Sequence, residues 1–167
     1  NKDELKQKID EIETNIKKLK KERLNSVNEL NSLVVSAAIK VIPAGCYICK
    51  SNGSQISYAD LFSDDYVRRI LKGELYYRNY YSSNTCISKE KVLTSLGVEF
   101  NYESRKTLIE QNTHVSLHKL TEERDAYIQK LENLVKKTMR EMCESDDTLL
   151  PTQTGNYNTN LLNFLIK

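Results

Sequence analysis

Two long stretches with helical apolar spacing, residues 3–40 and 103–144, bracket a shorter segment in which Tyr, Cys and Gly are concentrated. In the first stretch Leu5, Ile9, Ile12, Ile16 and Leu19 follow steps of four and three, a heptad seam. The next apolar residue, Leu24, comes five positions later, followed by Val27, Leu30 and Val34. The seam therefore changes phase, as at a stutter. From Val34 to Ile42 the pattern turns apolar nearly all round, which predicts burial on several sides, and Pro43 stops the helix.

A lone helix of this polarity is not stable in water, so it needs a partner. The second stretch offers one: Leu117, Leu120, Tyr127, Leu131 and Leu134 recur at threes and fours with one double step across Arg124. Ile128, Val135, Met139 and Met142 widen that stripe, and Asn101 or Thr113 is the candidate N-cap. The predicted fold is α+β and predominantly α. It is a long antiparallel, coiled-coil-like helical hairpin, residues 1–42 and 103–144, carrying a small mixed α/β tip, residues 43–102. A polar linker, 145–160, then tethers an apolar C-terminal segment, 161–167. Parallel pairing of the first helices from two chains would bury the same residues; the phase shift after Leu19 favours the irregular bundle.

Turn and cap chemistry sets the order expected inside the tip. Residues 46–50 and 55–58 read as a β-hairpin about Asn52-Gly53, a dipeptide favoured where both turn residues need positive φ. Ser63 reads as an N-cap, Asp64 and Asp65 as first-turn acids, Arg68, Arg69 and Lys72 as last-turn bases, and Gly73 as the C′ residue. Residues 75–81 read as extended. Ser88 caps a second short helix that Gly97 ends, and 98–100 read as extended again. The expected order is β-β-α-β-α-β.

Composition narrows the function classes. The 167 residues are 39% hydrophobic and 29% charged with net charge +2, which suits one domain or an arm with a tip. No region is strongly polarised: residues 41–106, for example, carry nine basic and seven acidic side chains. The bulk signal of a non-specific DNA binder is missing. No apolar run reaches the roughly 18 residues of a membrane span, so no membrane role is expected. The chain starts at Asn1, which reads as a processed product or a fragment. Four cysteines are too few for a disulfide-stapled miniprotein, which points to reduced thiols and an intracellular protein of cytoplasm or nucleus. Secretion is the alternative, since a signal peptide could already have been removed. Abundant Lys, Asn, Ile and Ser suggest an AT-rich genome, such as that of a phage, a large DNA virus or a protist.

Three constellations carry chemistry. Cys46-x2-Cys49 and His114-x3-His118 have the ligand spacings of a Cys2His2 structural zinc site. Over those four residues a CxxC at the apex of an antiparallel coiled coil resembles a zinc hook. Against it, 46 and 49 on a straight strand would point to opposite faces. The ordinary reading is two small buried hydrophobes and two surface histidines. The second constellation is Tyr66, Arg69, Tyr76, Tyr77, Arg78, Tyr80 and Tyr81, joined by Leu162, Phe164 and Leu165 of the terminal segment. Tyr and Arg dominate protein-binding hot spots and can also stack bases and hold phosphates. Some of these tyrosines form the tip core, but the tip is too small to bury all five. The third, residues 92–98 leading into a helix at about Tyr102, has the outline of a helix-turn-helix with Arg105 and Lys106 toward phosphates. The run Lys17, Lys18, Lys20, Lys21 and Arg23 reads as a solvated helix face.

No nucleophile–base–orienter set, phosphate-binding Gly loop or HExxH stands out. The expected function is therefore a non-enzymatic protein-interaction or scaffold module. It would dock a protein partner through the tyrosine-rich tip and self-associate, as a dimer, with no cofactor beyond a structural zinc. The alternative is a nucleic-acid binder using the same tip.

Overall fold

In the computed structural model, residues 1–145 are described. The chain is predominantly helical with a small antiparallel sheet: α1 (Lys2–Val41), β1 (Tyr47–Cys49), a 3-10 turn (Asp60–Phe62), α2 (Asp64–Lys72), β2 (Tyr76–Arg78), β3 (Thr85–Cys86), α3 (Lys89–Leu96) and α4 (Tyr102–Ser145). The predicted linker and apolar tail, with Leu162, Phe164 and Leu165, lie outside the described residues. Among the described residues no helix is long and apolar enough to cross a membrane.

The chain divides into two compact units. One is Glu22–Gln111; the other joins Asn1–Lys21 to the part of α4 that follows residue 111. Both long helices contribute to both units. In the second unit Ile9, Ile12 and Ile16 of the predicted seam are buried, as are Leu131, Val135 and Met139 of α4, while Leu5 and Leu19 are half-buried. The steps of four along α4 put Val135 and Met139 in the core and leave Leu134 half-buried, so the buried line runs along the edge of the predicted stripe. Lys8 Nζ lies 5.2 Å from the Tyr127 ring centroid, a further contact of α1 with α4 in this unit.

In the Glu22–Gln111 unit a single apolar cluster gathers Leu30, Val34, Val35, Ala37 and Ala38 of α1, Val67 and Ile70 of α2, Val92 of α3, and Ile48, Ile56, Leu61, Leu75 and Ile87 from the strands and loops. The all-round apolar end of α1 is thus the centre of this core. Pro43 follows its last turn as expected, with the Ile42 amide still donating to the Ala38 carbonyl at 3.3 Å. Leu24, assigned to the shifted seam, is instead exposed.

The short elements start and stop where their caps stand. Ser63 Oγ accepts from the Tyr66 amide and Ser88 Oγ from the Lys91 amide. Gly73 closes α2 at φ 74°. That left-handed conformation explains a glycine there. Asn101, one of the two expected caps, starts α4 by accepting from the Ser104 amide at 3.0 Å; Thr113 falls inside the helix.

The sheet departs from the expected β-β-α-β-α-β order. Its strand order is β1-β2-β3, all antiparallel, with Tyr47 opposite Arg78 and Tyr77 opposite Thr85. Residues 55–58 do not form a strand. They contribute one bridge, Cys49 to Gln55, and an Ile56 amide bond to the Ile48 carbonyl. The Asn-Gly turn is closed by the Gly53 amide to the Lys50 carbonyl at 2.9 Å, and Gly53 alone takes positive φ there. It is therefore a turn followed by a left-handed glycine and not one with both residues at positive φ, a geometry that bends the chain away after one bridge. β3 carries no apolar alternation, so nothing in its residue order marks it as a strand. Residues 98–99 are a turn between α3 and α4, not a strand.

Candidate functional site

The tyrosine-rich segment divides by burial. Tyr66 and Tyr77 are half-buried and pack against the core cluster. Tyr76 and Arg78 are half-buried in β2. Tyr66 also lies under two cations, with Arg69 5.5 Å and Lys50 5.9 Å from its ring centroid. Arg69 further pairs with Asp65 at 3.4 Å, a pair open enough to water to contribute little. Tyr80 and Tyr81, in contrast, are 82% and 98% exposed.

Those two stand on the loop joining β2 to β3, and the loop is built by its own polar side chains. Asn79 Oδ1 accepts from the Tyr81 amide at 2.8 Å, and Ser82 Oγ accepts from the Asn79 amide at 3.1 Å. Asn84 Nδ2 donates to the Ser51 carbonyl at 2.9 Å, fastening the loop to the neighbouring turn. Its Oδ1 faces the Cys49 thiol at 3.7 Å. The Tyr80 ring rests 5.8 Å from the ring of Tyr47, which sits across from Arg78 in the sheet. Arg78 Nη1 approaches Gly53 so closely that a Cβ there would lie 2.6 Å away. Arg78 has no carboxylate partner among the described residues. Tyr47 and Asn84 were not singled out from the sequence. Tyr47 had the residue type to suggest a role, but nothing in the order of residues announces Asn84.

The CxxC and the histidine pair fall in different units of the chain. Cys46 and Cys49 belong to the unit Glu22–Gln111, and His114 and His118 to the other. Cys49 lies in β1, wholly buried, and burial pushes its thiol pKa up against the opposing effect of Arg78. The two imidazoles stack 6.3 Å apart on exposed turns of α4, and His118 Nε2 lies 3.0 Å from Glu122. Among the described residues no group of three potential ligands gathers, and all four cysteines are free thiols.

Asp64, Arg68, Tyr102 and Glu103, each with a shifted pKa, form a second constellation where α1, α2 and α4 meet inside the Glu22–Gln111 unit. Asn31 is 1% exposed. Its Nδ2 donates to the Phe62 carbonyl at 2.8 Å and to Asp64 Oδ1 at 2.9 Å, and its Oδ1 accepts from the Tyr102 hydroxyl at 2.8 Å. Lys106 bonds the other Asp64 oxygen. Burial acts to raise the Asp64 pKa, but the hydrogen bonds from Lys106 and Asn31 and the charges of Lys106 and Arg68 outweigh it and hold it below the usual value. Burial, then the Asp64 charge, push Tyr102 up to about 12. Beside them Arg68 grips Glu103 at 2.7 Å, which lowers the carboxyl and raises the guanidinium. Every member of this set is occupied by another, which makes it a fastener. Lys106, expected to face phosphates, points inward to Asp64; the turn between α3 and α4 exists, but its reader lysine does not.

The same unit has an open groove of about 620 Å³ between α1 and the first turns of α4. Leu30 and Ile109 contribute to it, with Ser26, Ser32 and Ser36 from α1. Leu33 and Leu108 line it at 49% and 58% exposure. No protein-family model, no curated protein and no solved structure matches this chain.

Proposed function

We propose that the chain is a non-enzymatic docking module whose protein partner is held by the β2–β3 loop. The observation that supports this reading most is the near-complete exposure of Tyr80 and Tyr81 on a loop already fixed by Asn79, Ser82 and Asn84. Two adjacent large rings left in water favour burial against something else. Because the loop is tied down before contact, little ordering entropy opposes binding. Tyr47 widens the aromatic surface and Arg78 supplies a cation without a carboxylate of its own. Asp64, Arg68, Tyr102 and Glu103 are consumed by one another, which leaves this loop as the better candidate for outward work.

A photo-crosslinking residue placed at Tyr81 tests the reading in cells. A discrete protein adduct should form and should be lost in the Tyr80→Ser, Tyr81→Ser double variant. No adduct, or one indifferent to that double variant, removes the proposal. Adducts that disappear on nuclease treatment would move the loop to the nucleic-acid reading, in which the same rings stack bases and Arg78 meets phosphate.

A further inference from the structure

We propose that the groove between α1 and α4 is the contact face of a two-fold homodimer, independent of the docking role of the tyrosine loop. On α1, Ser26, Glu29, Leu33 and Ser36 fall at steps of three, four and three and so share one face; Arg105 and Leu108 face it from α4. The two leucines are about half exposed, at 49% and 58%. The serines are small enough to let a foreign helix approach closely.

The charges name the occupant. Glu29 stands on the α1 wall and Arg105 on the α4 wall, and neither makes an ion pair among the described residues. The Arg105 guanidinium lies 4.8 Å from the Phe100 ring centroid, which positions it without neutralising it. A surface carrying both halves of a charge pair on opposite walls is complementary to itself. A two-fold axis through the groove sets each Glu29 against the mate's Arg105 and each Leu33 against the mate's Leu108, the pattern of an isologous interface. A partner of another kind would have to reproduce both signs at the same spacing; a second copy does so by construction.

The measurement is the solution mass of the full chain by sedimentation equilibrium. The wild type should run at twice the 19.3 kDa of the chain. Leu108→Asp, on an exposed side chain, should raise the dimer dissociation constant at least about tenfold, the scale of one lost apolar contact. Glu29→Arg and Arg105→Glu should each weaken the dimer, and the two together should restore it, since both pairs re-form with signs exchanged. Unchanged far-UV circular dichroism separates these effects from unfolding. A monomeric wild type, a dimer indifferent to Leu108→Asp, or a charge-swapped double variant no tighter than the singles each overturns the interface. Tyr80→Ser with Tyr81→Ser should leave the mass unchanged, so that loss of docking and loss of dimer can be told apart.

Discussion

The Tyr102 hydroxyl donates to Asn31 Oδ1 at 2.8 Å across 71 residues of chain, joining the first turn of α4 to the buried side of α1. Asn31 answers with two donor bonds of its own, to the Phe62 carbonyl and to Asp64. Asn31→Leu keeps the volume close but orphans the Phe62 carbonyl, takes one bond from the Asp64 carboxylate and leaves the Tyr102 hydroxyl only the longer bond to Asp64 Oδ1 at 3.5 Å. It should cost about 2–4 kcal/mol, since buried polar groups left unpaired lose more than a hydrogen bond contributes. Urea unfolding should show a lower midpoint with an unchanged slope.

Alkali should unfold the protein through the same hydroxyl. Tyr102 is pushed up to about 12 when folded, against about 10 in an unfolded chain. A raised folded pKa contributes stability below the unfolded value, and that stability is lost as pH climbs to the folded one. Between about pH 10 and 12 roughly 2–3 kcal/mol should disappear. Tyr102→Phe, less stable at neutral pH, should show a shallower decline over that window when ΔG is followed by denaturant titration.

Acid acts through Asp64. Its folded pKa is lowered, so its contribution is present above the unfolded value of about 3.9 and fades as pH drops through the folded one. Lys106→Met removes a main partner of the carboxylate. The variant should be less stable than wild type at neutral pH and should converge on it as pH falls below the unfolded value of about 3.9, with stability measured across the acid range.

The other unit rests on a few side chains. Leu131 is fully buried there, with Ile9, Ile12 and Ile16 of α1 in the same unit. Leu131→Ala should cost about 2–5 kcal/mol, the range for a large-to-small change in a packed core. Amide exchange should rise first in residues 1–21 and in α4 beyond 111, while the Glu22–Gln111 unit holds its protection. Equal loss of protection in both units would show that they unfold together.

What could be read from residue order was what local physics decides. The Ile9, Ile12 and Ile16 seam, the stop at Pro43, the caps Ser63, Ser88 and Asn101, and the left-handed Gly73 each depend on neighbours a few positions away. Features decided at long range were missed. Leu24 fits the apolar count yet faces water. Lys106 reads as surface charge until Asp64, forty-two residues earlier, is brought beside it. The hairpin about Asn52-Gly53 was half right: the turn forms, but the partner that β1 keeps is β2, whose pairing no local signal predicts. The crowded tyrosines were expected to divide between interior and surface; which two face outward depends on the length of the β2–β3 loop.

Asn84 hangs that loop from a carbonyl of the Ser51 turn, while Gly53 leaves the room that Arg78 occupies. The two excursions of the chain are thus cut to a common pattern. An insertion in one therefore shifts the anchor of the other, and neither can change length without disturbing its neighbour.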